Sequence, residues 1–159
     1  MENVVKMGFP PVYDDNSRVL ILGSFPSVKS REIEFYYGNK QNRFWRVLSE
    51  IANERILETT EGKKEFLLRR GIALWDMVTE CEIVGSQDAS IKNAKTADLT
   101  EIFAVADIRK ILLNGALAYR LFAEKYAEIS IPYVKLPSTS PANPRFDKRL
   151  WEEALCDVL

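Results

Sequence analysis

The chain has 159 residues, with 22 Lys and Arg against 23 Asp and Glu, two cysteines and no histidine. That length suits one domain around one core, here spanning 1–159, and the missing histidine excludes Ser-His triads and histidine-ligated zinc or iron. Cys81 and Cys156 are too few for a four-cysteine metal or iron-sulfur site.

The two cysteines lie far apart without a CxxC spacing, which points to buried reduced thiols and leaves one disulfide open. No apolar run reaches the ~18 residues of a membrane span. Met1 to Asn16 lacks the apolar core of a signal peptide, so the expected location is the cytoplasm. Charge is uneven along the chain. Val28 to Arg46 carries Lys29, Arg31, Lys40, Arg43 and Arg46 against Glu32 and Glu34. Lys135 to Arg149 carries Lys135, Arg145, Lys148 and Arg149 against Asp147. Each segment is net positive on a chain of net charge −1, so the remainder is acidic. This allows a phosphate-facing edge but does not require one.

In chain order, four short apolar runs each end in small or polar residues: Arg18–Leu22 before Gly23-Ser24, Gly71–Trp75 before Asp76, Lys110–Leu113 before Asn114-Gly115, and Tyr133–Leu136 before Pro137-Ser138. Unbroken runs of this length suit strands covered on both faces, as in a parallel sheet. Between them, Phe44, Val47, Leu48, Ile51 and Ala52 recur at helical spacing after Asn42. A second helix is expected from Thr60 to just before Gly71. Asp98-Leu-Thr-Glu101 reads as a capping box opening a short helix through Val105. Further helices are expected from Ala116 to about Tyr126 and from Asp147, the last stacking Leu150, Ala154 and Val158 beside Trp151 and Leu155. Alternating strands and helices imply right-handed crossovers and a three-layer α/β/α sandwich around a four-stranded parallel sheet.

Ligands in such sheets bind outside the carboxyl ends of the strands, so the post-strand segments starting at Gly23, Asp76, Asn114 and Pro137 should converge. Phe25 to Gln41 and Val78 to Ala97 have no convincing period and read as two long loops. Asn39 sits in a polar turn after two tyrosines. Asn114 ends the third strand. Asp76 is the other attractive carboxylate at a strand end, as a water-orienting group or a helix cap. Pro137 to Pro144 holds three prolines and three hydroxyl residues and should be stiff.

Four segments together carry a resemblance: Gly23-Ser-Phe-Pro-Ser27, Phe35-Tyr-Tyr-Gly-Asn-Lys-Gln-Asn-Arg-Phe-Trp45, Gly85-Ser-Gln-Asp-Ala-Ser-Ile-Lys-Asn93 and Leu136-Pro-Ser-Thr-Ser-Pro-Ala-Asn143. In this order they resemble the uracil-DNA glycosylase superfamily, and within it most the hypoxanthine-DNA (deoxyinosine) glycosylase branch. The resemblance implies a parallel four-stranded sheet between helices. It implies a monofunctional enzyme that flips a deaminated base out of single- or double-stranded DNA and hydrolyses its N-glycosidic bond, as a monomer and with no metal or cofactor.

It also implies roles for individual residues. Asn39 would orient the attacking water and Asn114 would hydrogen-bond the flipped base. Tyr37 would stack on that base, with Tyr36 or Phe25 as a second wall. Gly23, Ser24, Phe25 and Pro26 would shape or contact the base site. Ser27, Lys29, Arg43, Ser138, Thr139, Ser140, Asn143 and Arg145 would meet DNA, with Pro141 and Ala142 as wedge residues. Ser86, Asp88, Ser90, Lys92 and Asn93 are candidates for ordering a site wall. One departure stands out: mismatch-directed members carry a water-positioning Asn, and conventional uracil enzymes an Asp, where this chain has Phe25. The alternatives are a glycosylase acting mainly on uracil or on several deaminated bases, and a non-catalytic damage-binding domain.

Overall fold

The computed structural model describes residues 4–159, so the first three residues of the segment read for a signal peptide lie outside the described residues. Three of the four apolar runs become strands buried almost throughout: β2 (Val19–Gly23), β3 (Ile72–Asp76) and β6 (Lys110–Asn114). The fourth, β7 (Tyr133–Leu136), is an edge strand with Val134 and Lys135 exposed. All pair in parallel, in the order β3-β2-β6-β7.

The helices fall between them. They are α1 (Val28–Ile33), α2 (Phe44–Ala52), α3 (Thr60–Arg69), α4 (Thr100–Val105), α5 (Ala116–Tyr126) and α6 (Lys148–Leu155). The path from β2 to β3 moves one way along the sheet, and the paths from β3 to β6 and from β6 to β7 move the other. Right-handed crossovers therefore lay α2 and α3 on one face and α4 and α5 on the opposite one. The Tyr126 hydroxyl at the end of α5 donates to Ala97 O and accepts from Leu99 N, tying α5 to the approach to α4. On the other side α6 returns to α2, with Trp151 edge-on to Phe44 at 6.2 Å. The result is the expected three-layer sandwich.

Several local expectations need correction. The stretch Val78–Ala97 is no loop: it forms β4 (Val78–Ile83), a 3-10 turn (Asp88–Ser90) and β5 (Lys92–Thr96). With β1 (Val4–Met7) these make a second, antiparallel sheet in the order β1-β4-β5. The Phe25–Gln41 segment likewise contains α1, started by Ser27 Oγ accepting from Ser30 N. In α6 the buried residues are Trp151 and Leu155, whereas Leu150 is exposed and Val158 lies beyond the helix. Asp98 accepts from Thr100 N and Thr100 Oγ1, a local Asx arrangement in place of the reciprocal box. Both cysteines are free, and Cys81 is buried as expected. Cys156 is exposed because α6 ends there. Among the described residues no helix is long and apolar enough to cross a membrane.

Candidate active site

The crossovers from β2 and from β6 run to opposite faces, so a crevice opens between the carboxyl ends of these neighbouring strands. A cleft of about 680 Å³ lies there. It is lined by the four post-strand segments that the sequence brings together, and also by Tyr36, Tyr37, Asn39 and Asn42 and by Ser86 to Asp88.

Gly23, Asp76 and Asn114 form its floor. A Cβ built on Gly23 would stand 2.5 Å from Asp76 Oδ1 and 2.7 Å from the Tyr37 hydroxyl, so only glycine lets both groups approach the strand end. Asp76 is 4% exposed and its Oδ2 has no hydrogen-bond partner. It caps no helix, because the chain passes through Met77 straight into β4. That passage also pins the Gly23–Ser27 segment: Met77 N donates to Gly23 O at 2.7 Å and Val78 N to Ser24 O at 3.0 Å.

Phe25 packs with Val78, Cys81 and Ile83 in a small second core. Pro26 is buried beside it, and the Arg31 guanidinium lies 5.7 Å from the Phe25 ring centre. Phe25 thus anchors the turn to the antiparallel sheet. Tyr36 is buried too, with its hydroxyl donating to Pro10 O at 2.8 Å, so it belongs to the main core more than to a base wall.

Asn114 is 8% exposed and fully engaged. Its Nδ2 donates to Thr139 Oγ1 at 3.0 Å and to the Tyr37 hydroxyl at 3.2 Å, and its Oδ1 accepts from Thr139 N at 3.0 Å. The Asn114–Thr139 clasp joins the end of β6 to the Pro137–Asn143 loop. Gly115, at φ 98°, lets the loop pass close, since a Cβ there would lie 3.2 Å from Ser138 Cβ. Thr139, read from the sequence as a group near phosphates, is buried with its hydroxyl turned to Asn114, which makes it an anchor of the loop.

The rest of that loop is held from within and behind. Ser140 N donates to Ser138 Oγ, Ala142 N to Ser140 Oγ, and Asn143 Nδ2 to Ser138 O. Arg43 is committed there as well: its guanidinium donates to Ser140 O at 3.0 Å and Asn143 O at 3.2 Å and lies over the Phe146 ring. Pro141 and Ala142 are exposed at the tip.

Tyr37 adopts a left-handed backbone at φ 53° and stacks on Phe44 with ring centres 4.0 Å apart. Burial, then the nearby Asp76, raise its hydroxyl pKa, so it stays protonated. Asn39 reaches the cleft from an Asx turn, its Oδ1 accepting from Gln41 N at 2.9 Å. Ser86 Oγ accepts from Val28 N and Asp88 accepts from Ser24 Oγ, so these two order the wall. Ser90 and Asn93 instead bind within the hairpin, to Val84 and to Glu82.

The basic segments prove largely occupied. Lys29 pairs with Glu32, Lys148 with Glu50 and Glu152, and Arg149 with Asp147. Lys29, Arg43 and Arg145 do not line the cleft, and no Lys or Arg does among the described residues.

An amide-rich cleft that holds two acids and, among the described residues, no cation thus lies at the switch point of a parallel α/β sheet, flanked by a proline-rich loop. The family profile described as the uracil DNA glycosylase superfamily matches residues 10–158, and the chain belongs to that superfamily. Two curated relatives, both named hypoxanthine DNA glycosylase, come from Methanosarcina. The M. acetivorans protein is 35% identical over 147 residues, covering 91% of this chain and 92% of its own. The M. barkeri protein is 36% identical over 112 residues, covering 69% and 71%. A solution NMR structure of an M. acetivorans protein, studied as a candidate uracil DNA glycosylase, superposes with a TM-score of 0.85 at 32% identity, covering 98% of this chain and 99% of that one.

Proposed function

We propose that this protein is a monofunctional DNA glycosylase that hydrolyses the N-glycosidic bond of deaminated nucleotides, chiefly releasing hypoxanthine from deoxyinosine in base excision repair. The observation that carries this reading is the cleft at the ends of β2, β3 and β6 in a chain so similar to hypoxanthine DNA glycosylases over most of its length.

Breaking this bond leaves electron density on the base and an oxocarbenium-like sugar. Where the bond is largely broken before water adds, a neutral amide suffices to orient the water, and hydrogen bonds to the base supply the stabilisation. Asn39 is assigned the water. Asn114 and the backbone around Ser24 are assigned the base edge, and Tyr37, backed by Phe44, the base face. Pro141 and Ala142 press beside the extruded nucleotide, offsetting an extrusion cost of a few kcal/mol that is least for a weakly paired base. Arg145 and Lys40, which form no ion pair among the described residues, meet phosphates. The enzyme acts as a monomer, and with no lysine lining the cleft among the described residues it lacks a group to attack the sugar.

A second reading, a damage-binding domain without catalysis, draws on Phe25, whose burial in the second core leaves no reactive group at the usual position. One experiment separates the readings: incubation with duplexes containing inosine, uracil, xanthine or a T·G mismatch in EDTA, then alkali cleavage. Abasic product chiefly from inosine is expected. Product mainly from another duplex resets the substrate, and tight binding without product from any duplex sinks the enzymatic reading.

A further inference from the structure

Asp76 takes no part in the steps above, yet it is the most buried charged side chain facing the cleft. A buried polar atom without a partner is costly, and a buried carboxylate more so. Asp76 Oδ2 has none. The groups around it offer no relief: Tyr36 and Tyr37 are neutral phenols, Asp88 on the 3-10 turn is another acid, and no cation lines the cleft among the described residues. Burial first, then the charge of Asp88, push its pKa up to about 7. An acid held near neutrality beside a leaving group is suited to proton donation.

A flipped purine in the cleft that Asp76 lines offers its carboxyl group a partner. Its ring nitrogens are acceptors, and protonating one turns a poor anionic leaving group into a neutral one. We propose that Asp76 is a catalytic residue which, as the neutral acid, donates its proton to a ring nitrogen of the flipped purine while the glycosidic bond breaks. The C1′–N9 electron pair passes into the ring and the carboxyl proton moves to N3 or N7. Water forms the new C1′–O bond and its surplus proton returns to the Asp76 carboxylate. Hypoxanthine leaves neutral and the acid is restored. This rests on the reading of the protein as a hypoxanthine glycosylase.

The test is single-turnover cleavage of an inosine duplex by the full chain from pH 5.5 to 9, with binding measured on a duplex carrying 2′-fluoro-deoxyinosine, which resists cleavage. For the wild type the rate should hold at low pH and fall about tenfold per pH unit on the alkaline side, as the acid ionises. Asp76→Asn keeps size and hydrogen-bonding capacity but has no proton to transfer. It should bind the resistant duplex within about threefold of wild type, cleave roughly 100-fold more slowly at pH 6, and show no alkaline limb. Asp88→Asn, at the exposed edge, removes a like charge and should move the limb to lower pH. Asp76→Asn cleaving at the wild-type rate, or retaining the limb, overturns the proposal. If that variant fails to fold, an unmoved limb in Asp88→Asn overturns it and a shifted one supports it. Absence of cleavage of inosine by the wild type at every pH instead removes the functional reading beneath it.

Discussion

At the floor of the cleft, Gly23, Asp76 and Asn114 stand at the ends of three hydrogen-bonded parallel strands and are buried, whereas at its rim Gln87, Asp88, Pro141 and Ala142 sit on loops and a 3-10 turn and are exposed. The floor is positioned by backbone ladders that many residues share. The rim is positioned by individual serine and asparagine side chains bonded to backbone. Water exclusion at the floor strengthens every electrostatic contact made there, while rim contacts are screened. The proposed chemistry therefore falls to the floor and the proposed DNA contacts to the rim, with Asn39 and the Asn114–Thr139 clasp where the two meet.

Asn114→Ala strikes the floor hardest. It removes the amide proposed to meet the base edge together with its ties to Tyr37 and Thr139, so single-turnover cleavage should fall at least ~100-fold. It also leaves Thr139 N buried without its acceptor, so urea unfolding should show a loss of about 1–3 kcal/mol. Asn39→Ala probes the boundary from the rim side. Cleavage lowered by about two orders of magnitude with DNA binding nearly intact is expected, and normal cleavage would confine the chemistry to the floor.

A third prediction concerns stability. Well below about pH 4 Asp76 is neutral whether folded or not. Between there and its folded value of about 7 the unfolded chain ionises first, so stability falls as pH rises, by up to about 4 kcal/mol in total. Asp76→Asn lacks this dependence. It should match the wild type at pH 4 and exceed it by about 2–4 kcal/mol at pH 8 in urea titrations, whereas equal pH profiles would show that the floor tolerates the charge. The smallest effect is expected at the periphery. Arg145→Ala should leave the chemical step unchanged and lower the slope of log affinity against log salt by about one.

How much of this was legible follows from the same contrast. β2, β3 and β6 announce themselves because burial on both faces demands unbroken apolar runs, and α2 because a single buried face imposes a helical period. β5 gives no such signal, since Lys92-Asn-Ala-Lys-Thr96 is exposed and held by its pairing with β4. The second half of β4 does alternate, with Cys81 and Ile83 buried and Glu80 and Glu82 half-buried, and Lys95 pairs with Glu80 at 3.0 Å. In the site, family motifs locate the cleft-lining segments, but motif order is silent on which polar group is already taken. Thr139 and Arg43 look like DNA contacts in sequence and are struts in three dimensions. Asp76 reads as a helix cap and is an unpartnered acid, because its role depends on Gly23 and Asp88, distant in sequence.

The clasp between Asn114 and Thr139, with Arg43 behind it, carries a thermodynamic consequence. Seven residues from Pro137 to Asn143 already hold one conformation before DNA arrives. At about 1 kcal/mol of backbone entropy per residue, several kcal/mol of ordering are lost during folding and need not be lost again on binding. The bound complex should therefore form with little conformational entropy penalty from this loop, the proposed wedge, leaving contact energy free to distort the duplex.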